Sequence, residues 1–207
     1  MSDRKQHWDH IYQTRPLEAV SWYEPTPEIS LRFIGQLNLS PKAKIIDIGG
    51  GDSLLVDHLM DLGYEDLTVL DISAAAIERA KKRLGEKAIK VKWIVADITR
   101  FRPTEQYDLW HDRAAFHFLT DEPDISKYLE AAVVALKPTG VLVIGTFSEQ
   151  GPQKCSGLMV KQYSEQTMTQ RLKEYFEKIR CVGVDHRTPA GAVQDFVFCS
   201  FRRISGR

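Results

Sequence analysis

The run Lys44-Ile45-Ile46-Asp47-Ile48 ends on three consecutive glycines, Gly49-Gly50-Gly51. A short run rich in β-branched residues reads as a strand buried on both faces. Three glycines in a row allow a sharp turn whose backbone another group can approach without meeting a Cβ. From about Ser53 to Leu62, the residues Leu54, Leu55, His58, Leu59 and Leu62 share one helical face, and Gly63 supplies the stop. Strand, glycine turn and helix form the opening unit of a parallel α/β sheet, which needs further strands beside it.

Those strands are legible at Leu67–Asp71, at Val91–Ala96, from Tyr107 to Trp110 and onward, and at Val141–Thr146. Helices separate them, one capped by Ser73 and stopped by Gly85, another over Ile125–Leu136 and ended by Lys137-Pro138. The last part of the chain changes rhythm. A helix capped by Ser164 and running to about Phe176 precedes two strands, Ile179–Asp185 and Val193–Arg202. The link between these strands holds Pro189 and Gly191, which predicts an antiparallel hairpin. Residues 1–40 contain Trp8, Tyr12, Trp22, Tyr23 and Phe33 but no strand, and Pro25 and Pro27 separate two helices, the second over about Glu28–Leu37. The expected architecture is α/β: a Rossmann-like seven-stranded, mostly parallel sheet with an antiparallel last strand in residues 41–207. Residues 1–40 are expected to form an N-terminal helical cover.

Charge narrows the range of partners. Lys+Arg and Asp+Glu both number 28 among the 207 residues. A balanced chain has no general electrostatic grip on nucleic acid or on anionic lipid. No stretch approaches the roughly 18 apolar residues of a membrane span, and MSDRKQHW has no apolar run of a signal peptide. The three cysteines, Cys155, Cys181 and Cys199, form no CxxC pair, and no His/Cys/Asp group has metal-ligand spacing. An odd number of thiols without a pairing motif fits a reducing compartment, so a cytoplasmic protein without a metal is expected.

Three acidic residues fall at strand ends: Asp47, Asp71 and Asp97, separated by 24 and 26 residues, about one strand-helix-strand unit each. They therefore project onto one edge of the sheet, where open α/β sheets bind ligands. Asp71 is placed to accept from both hydroxyls of a ribose, and Asp97 from an exocyclic amine such as the adenine N6. The glycine turn admits the ligand's backbone approach, and the helix after it offers free N–H groups. A dinucleotide fingerprint, Gly-x-Gly-x-x-Gly, would put its last glycine where Leu54 stands. A nucleoside ligand without pyrophosphate fits better. Each aspartate alone also reads as a helix or turn cap.

The run Ile45 to Ser53 resembles motif I of the class I S-adenosylmethionine-dependent methyltransferases, with Ser53 in place of the family's last glycine. Asp71-Ile72 resembles the family's ribose-binding segment and Ala96-Asp97-Ile98 its adenine-binding segment. Leu136-Lys137-Pro138-Thr139-Gly140-Val141-Leu142 resembles the turn before its fifth strand. The resemblance covers about Lys44 to Arg203. It implies S-adenosylmethionine as methyl donor, S-adenosylhomocysteine as product, and no metal. The implied donor residues are Asp47, Gly49, Gly50, Gly51, Asp71, Ile72, Asp97 and Ile98. Tyr12 and Trp22 of the cover are expected at the methionine end, and Asp112 at its α-amino group. Arg113, His117, Cys155 and Tyr163 are expected to line the acceptor pocket, with His117 as candidate base. Each of these side chains also reads as ordinary packing.

No Asn-Pro-Pro-Tyr type sequence follows the fourth strand, which argues against amino methylation of DNA bases. With little beyond the core fold and one cover, a small-molecule acceptor is the first expectation. A protein lysine acceptor is the second, and a non-catalytic donor-binding sensor or partner subunit the third.

Overall fold

Strand β1 (Lys44–Ile48) is buried on both faces, and its alternate side chains feed two separate cores. The computed structural model describes residues 3–205. Helix α1 (Asp3–Thr14) and α2 (Glu28–Gly35) precede β1. Then come α3 (Leu55–Asp61), β2 (Asp66–Asp71), α4 (Ala74–Leu84), β3 (Val91–Val95), β4 (Tyr107–Arg113), α5 (Glu122–Ala135) and β5 (Leu136–Phe147). A short ribbon of β6 (Lys154–Cys155) and β7 (Leu158–Met159) follows, then α6 (Glu165–Leu172), β8 (Phe176–Arg187) and β9 (Val193–Arg203).

Seven strands form one sheet in the order β3-β2-β1-β4-β5-β9-β8. β1 to β5 pair in parallel, whereas β9 runs antiparallel to both β5 and β8. The chain order reverses between β1 and β4, the switch point where such sheets open a crevice beyond the strand ends. Ile46 and Ile48 pack into the core built with α5 and α6, through Tyr128, Leu129, Met168 and Leu172. Ile45 packs the other way, against Ile29 and Phe33 of α2 and Leu55 and Leu59 of α3. A strand buried on both faces carries apolar residues at successive positions, hence its unbroken run.

The elements and their order match the reading of the sequence, with four differences. Helices α2, α3, α5 and α6 end one to four residues before the apolar spacing does, whereas α4 ends at Leu84 as read. The segment after β5, where the sequence shows no strand, folds back as the β6/β7 ribbon, with Ser156 and Gly157 at φ 49° and 83° making the turn. Helix α2, assigned by the sequence to the cover, sits in the core, with the Phe33 ring 6.0 Å from that of Phe198. The cysteines, in which the sequence showed no pairing motif, also differ. Cys181 and Cys199 face each other in the β8/β9 register and form a disulfide, and only Cys155 is a free, buried thiol. Sequence spacing could not show this, because the pairing comes from strand register. Among the described residues no helix is long and apolar enough to cross a membrane.

If α2 is part of the core, Phe33→Ala should lower folding stability by about 3–5 kcal/mol, measured by urea denaturation. A loss below about 1 kcal/mol would mean that α2 packs loosely.

Candidate functional site

The glycine turn sits against the end of β2. Gly49 N and Gly50 N both donate to Leu70 O, at 2.7 and 3.3 Å. Gly51 has φ +41°, and a Cβ there would lie 2.7 Å from Asp71 Oδ2. No other residue fits a turn this close to a carboxylate. Asp71 is buried, and its Oδ1 accepts from Ser73 N at 2.7 Å. Burial raises its pKa to about 7 despite that donor, and the charges of Asp47 and Asp9 add to the rise. Asp97 is held at the rim, where its Oδ1 accepts from Thr99 N and Oγ1 at 2.9 and 2.7 Å.

A cavity opens here. Its walls include Gly49, Asp71, Ile72, Asp97 and Ile98 on one side and Trp8, Trp22 and Phe118 on another. Together with the open space at its mouth it spans about 790 Å³. The geometry suits a nucleoside, with a carboxylate for the ribose diol, two isoleucines flanking a flat base, and a second carboxylate beyond them. A second cavity lies around the glycine turn, between Asp47, Gly50, Asp52 and His111 below and Tyr23 and Glu24 above. Tyr12, Trp22, Gly49 and Arg113 line both cavities and mark where they meet. Asp47 faces His111 Nδ1 at 2.7 Å, whose Nε2 is 2.9 Å from Ser30 Oγ. Asp52 pairs with Arg79 Nε at 2.8 Å and with Arg83, so it serves to anchor α4 beneath the turn.

Several further groups, which the sequence did not single out, hold the N-terminal segment down. Asp9 Oδ1 accepts from Ser73 Oγ at 2.7 Å and from Ala75 N at 3.3 Å, so α1 helps cap α4. Arg79 donates to Tyr12 O and Arg15 O. Glu24 Oε1 lies 2.9 Å from Arg113 Nη2 and 3.1 Å from His186 Nδ1, while Arg113 Nη1 donates to Trp22 O. His186 Nε2 is 2.6 Å from Ser21 O. The rings of Trp8, Tyr12 and Trp22 meet one another and Phe118 at 5.0–6.3 Å between centroids. No sequence signal could have found Glu24 and His186 as partners, since 162 residues separate them.

Three expected site residues are corrected. Asp112 is completely buried and lines neither cavity. Its Oδ1 accepts from Ala115 N and Phe116 N, at 2.9 and 3.2 Å, and its Oδ2 from Tyr128 OH at 2.8 Å. It staples the turn in which Ala114 adopts φ +67° and has no oxygen to offer an α-amino group. Burial pushes its pKa up to about 6. His117 is also fully buried and outside both cavities, with its ring 4.6 Å from those of Phe118 and Phe147 and its Nδ1 accepting from Phe147 N. Burial, and then the Arg113 charge, drives its pKa down to about 3, so it is neither placed nor tuned as a base. Tyr163 stacks on Phe116 at 5.4 Å beneath the cavity wall. Arg113 and Cys155 do line the first cavity, and burial raises the Cys155 thiol. Among the described residues no group of His, Cys, Asp or Glu is placed to hold a metal ion.

Residues 45–140 match the family described as "Methyltransferase domain". The eEF1A lysine and N-terminal methyltransferase of Mus musculus is 29% identical over 122 residues, which are 58% of this chain and 17% of that protein. Nodulation protein S of Bradyrhizobium diazoefficiens is 31% identical over 123 residues, 58% of each chain. The chain thus spans about a sixth of the first relative's length and just over half of the second's. Among solved structures, the N-methyltransferase NodS from Bradyrhizobium japonicum WM9, in complex with S-adenosyl-L-homocysteine, superposes with a TM-score of 0.67. It is 22% identical, and the match covers 94% of this chain and 99% of that one.

A ring kept neutral by burial gives a specific pH dependence. The folded pKa of His117 lies below the value of about 6.5 expected when unfolded, so its share of stability is present above that pH and lost as pH falls. Between pH 6.5 and 4 the loss should approach about 1.4 kcal/mol per pH unit. Urea denaturation of the protein and of His117→Gln at pH 7, 6 and 5 reads it as a difference in slope. Equal slopes would show that the imidazole charges without unfolding.

Proposed function

We propose that the chain is a class I S-adenosylmethionine-dependent methyltransferase, a reading supported by the methyltransferase domain matched at residues 45–140 and by its fold, and that it transfers a methyl group from S-adenosylmethionine to a small-molecule acceptor. The observation that carries this reading is the meeting of two cavities at Gly49, Tyr12, Trp22 and Arg113, with the carboxylate-lined cradle on one side. The cradle fits the donor. Asp71 would accept from both ribose hydroxyls, Asp97 from the adenine amine, and Ile72 and Ile98 would enclose the base. Gly49, Gly50 and Gly51 admit the methionine end, with Asp47 and His111 at its floor.

When bound, the donor supplies a methyl group on a sulfonium, whose leaving group is a neutral thioether. Activation is thus built into the donor, and the chain's task is alignment and closure. Trp22 and Tyr12 lie over the meeting point of the cavities and exclude water from it. The Glu24–Arg113–His186 contacts fix Trp22 in that place, through its carbonyl. Residues 1–40 act as the cover and 41–207 as the methyltransferase domain, with α2 shared between the two roles. The aromatic rings narrow the site to a pocket with one open mouth, which favours a small molecule. A protein lysine acceptor is the second reading, supported by the eEF1A relative named above. Turnover separates both from a donor-binding sensor.

Calorimetry with S-adenosylhomocysteine and with NAD tests the donor. The first should bind and the second should not, and Asp71→Ala should weaken the first at least tenfold through the loss of two charge-assisted hydrogen bonds, each worth about 1.5–3 kcal/mol. The ribose donates to the ionised carboxylate. With a pKa of about 7, affinity should rise about tenfold from pH 6 to pH 8, a dependence absent in Asp71→Asn. Tight NAD binding with no heat from the sulfur ligand would reverse the assignment.

A further inference from the structure

We propose that the acceptor is a small, uncharged, aromatic molecule that attacks through a ring nitrogen already carrying its lone pair. This rests on the donor reading above and names the acceptor class of the same site.

Where the cradle residues hold the donor, the wall left to the acceptor is formed by Trp8, Trp22, Ala114, Phe118, Leu119 and Cys155. Three are aromatic and the rest are apolar or weakly polar. Flat ring faces and edges reward a flat, apolar partner beyond the area it buries.

Charge excludes the other acceptors. Arg113 reaches this wall, and on its own it would be an anchor for an anion. Its guanidinium is already matched by Glu24 Oε1 at 2.9 Å and stacks on Phe196, 5.4 Å from the ring centroid. Arg4, at the mouth, is matched by Asp124 at 2.6 Å. Asp71 and Asp97 face the donor side. Among the described residues each charge on this wall already has an opposite partner, although Glu24 Oε2 and Arg113 Nε are buried without a hydrogen bond, so a further ion would be desolvated without a counter-charge of its own.

Protonation excludes more. The titratable groups lining the two cavities near their meeting point include Tyr12, Glu24, Asp47, Asp71, His111, Arg113 and Cys155; both ring nitrogens of His111 are engaged, by Asp47 Oδ1 and Ser30 Oγ, and Asp71 is assigned above to the donor's ribose. Burial holds the Tyr12 phenol well above its usual range and raises the Cys155 thiol. Glu24 is held below the usual carboxylate range by His186 and Arg113, in spite of burial. His117 is walled off. None of these removes a proton from a hydroxyl or an ammonium whose pKa is about 10. A ring nitrogen of pyridine type needs no such help. Its lone pair forms the bond to the methyl carbon, the carbon–sulfur bond breaks with its pair going to sulfur, and no proton moves. One positive charge passes from sulfur to the acceptor, so the net charge of the bound pair is unchanged by the step.

The test uses the full-length protein. Binding of S-adenosylhomocysteine is measured first, and its absence would fail the donor reading itself. With S-adenosylmethionine saturating, mass spectrometry then follows methyl transfer to quinoline, isoquinoline, 1-naphthol, 1-naphthoate, thiophenol and a lysine peptide. N-Methylated quinoline or isoquinoline is expected, with a rate unchanged between pH 7 and 9, and Phe118→Leu should raise KM at least fivefold with kcat nearly unchanged. Binding of the donor product without any turnover of the two heterocycles would overturn the inference. So would faster methylation of the naphthol, the naphthoate, the thiol or the peptide.

Discussion

The contact between the glycine turn and the end of β2 is the constraint on which the site depends. Gly49 and Gly50 both give their N–H to Leu70 O, and Gly51 passes close enough to Asp71 that a Cβ would collide with the carboxylate. This draws the first βα turn onto the neighbouring strand and opens the crevice on the side where chain order reverses. It also buries Asp71 beside Asp47, which is why that carboxyl holds its proton up to about neutral pH. The backbone N–H groups of Ser73 and Gly51 offset part of that rise by favouring the ionised form.

The second dependence is on charge held across long stretches of sequence. The N-terminal segment touches the domain through aromatic rings, but rings alone leave its position loosely specified. Asp9 at the start of α4, Arg79 on the carbonyls of Tyr12 and Arg15, and Glu24 between Arg113 and His186 fix it in register. These pairs are partly buried, where each broken partner leaves an uncompensated charge. Arg113 is the hinge of the arrangement: it ends β4, borders both cavities and carries the carbonyl of Trp22. The same pairing that holds the N-terminal segment down also neutralises Arg113, which borders both cavities.

Residues that look chemical can be structural for a plain reason. Asp112 lies at the penultimate position of β4, His117 just beyond that strand and Tyr163 after the β6/β7 ribbon, and each is buried. Asp112 is consumed by the two N–H groups of a tight turn and by Tyr128. His117 fills the space between Phe118 and Phe147 and receives one backbone N–H. A polar side chain at a strand end has two solutions, outward to a ligand or inward to satisfy the turn. The choice is made by the local backbone, here the positive φ of Ala114.

Local pattern alone determined the strands, the helices, their alternation and the switch to an antiparallel end, because each follows from side-chain period and from where glycine and proline stand. The placement of Asp47, Asp71 and Asp97 on one edge followed as well, since one strand-helix-strand unit returns the chain to the same end of the sheet. What only the tertiary structure decided are pairings between distant segments: Glu24 with Arg113 and His186, Asp9 with Ser73, Cys181 with Cys199, and α2 with the core. None has a local signature, because the energy of each lies in a contact that exists only after the sheet has set the register and the cover has closed.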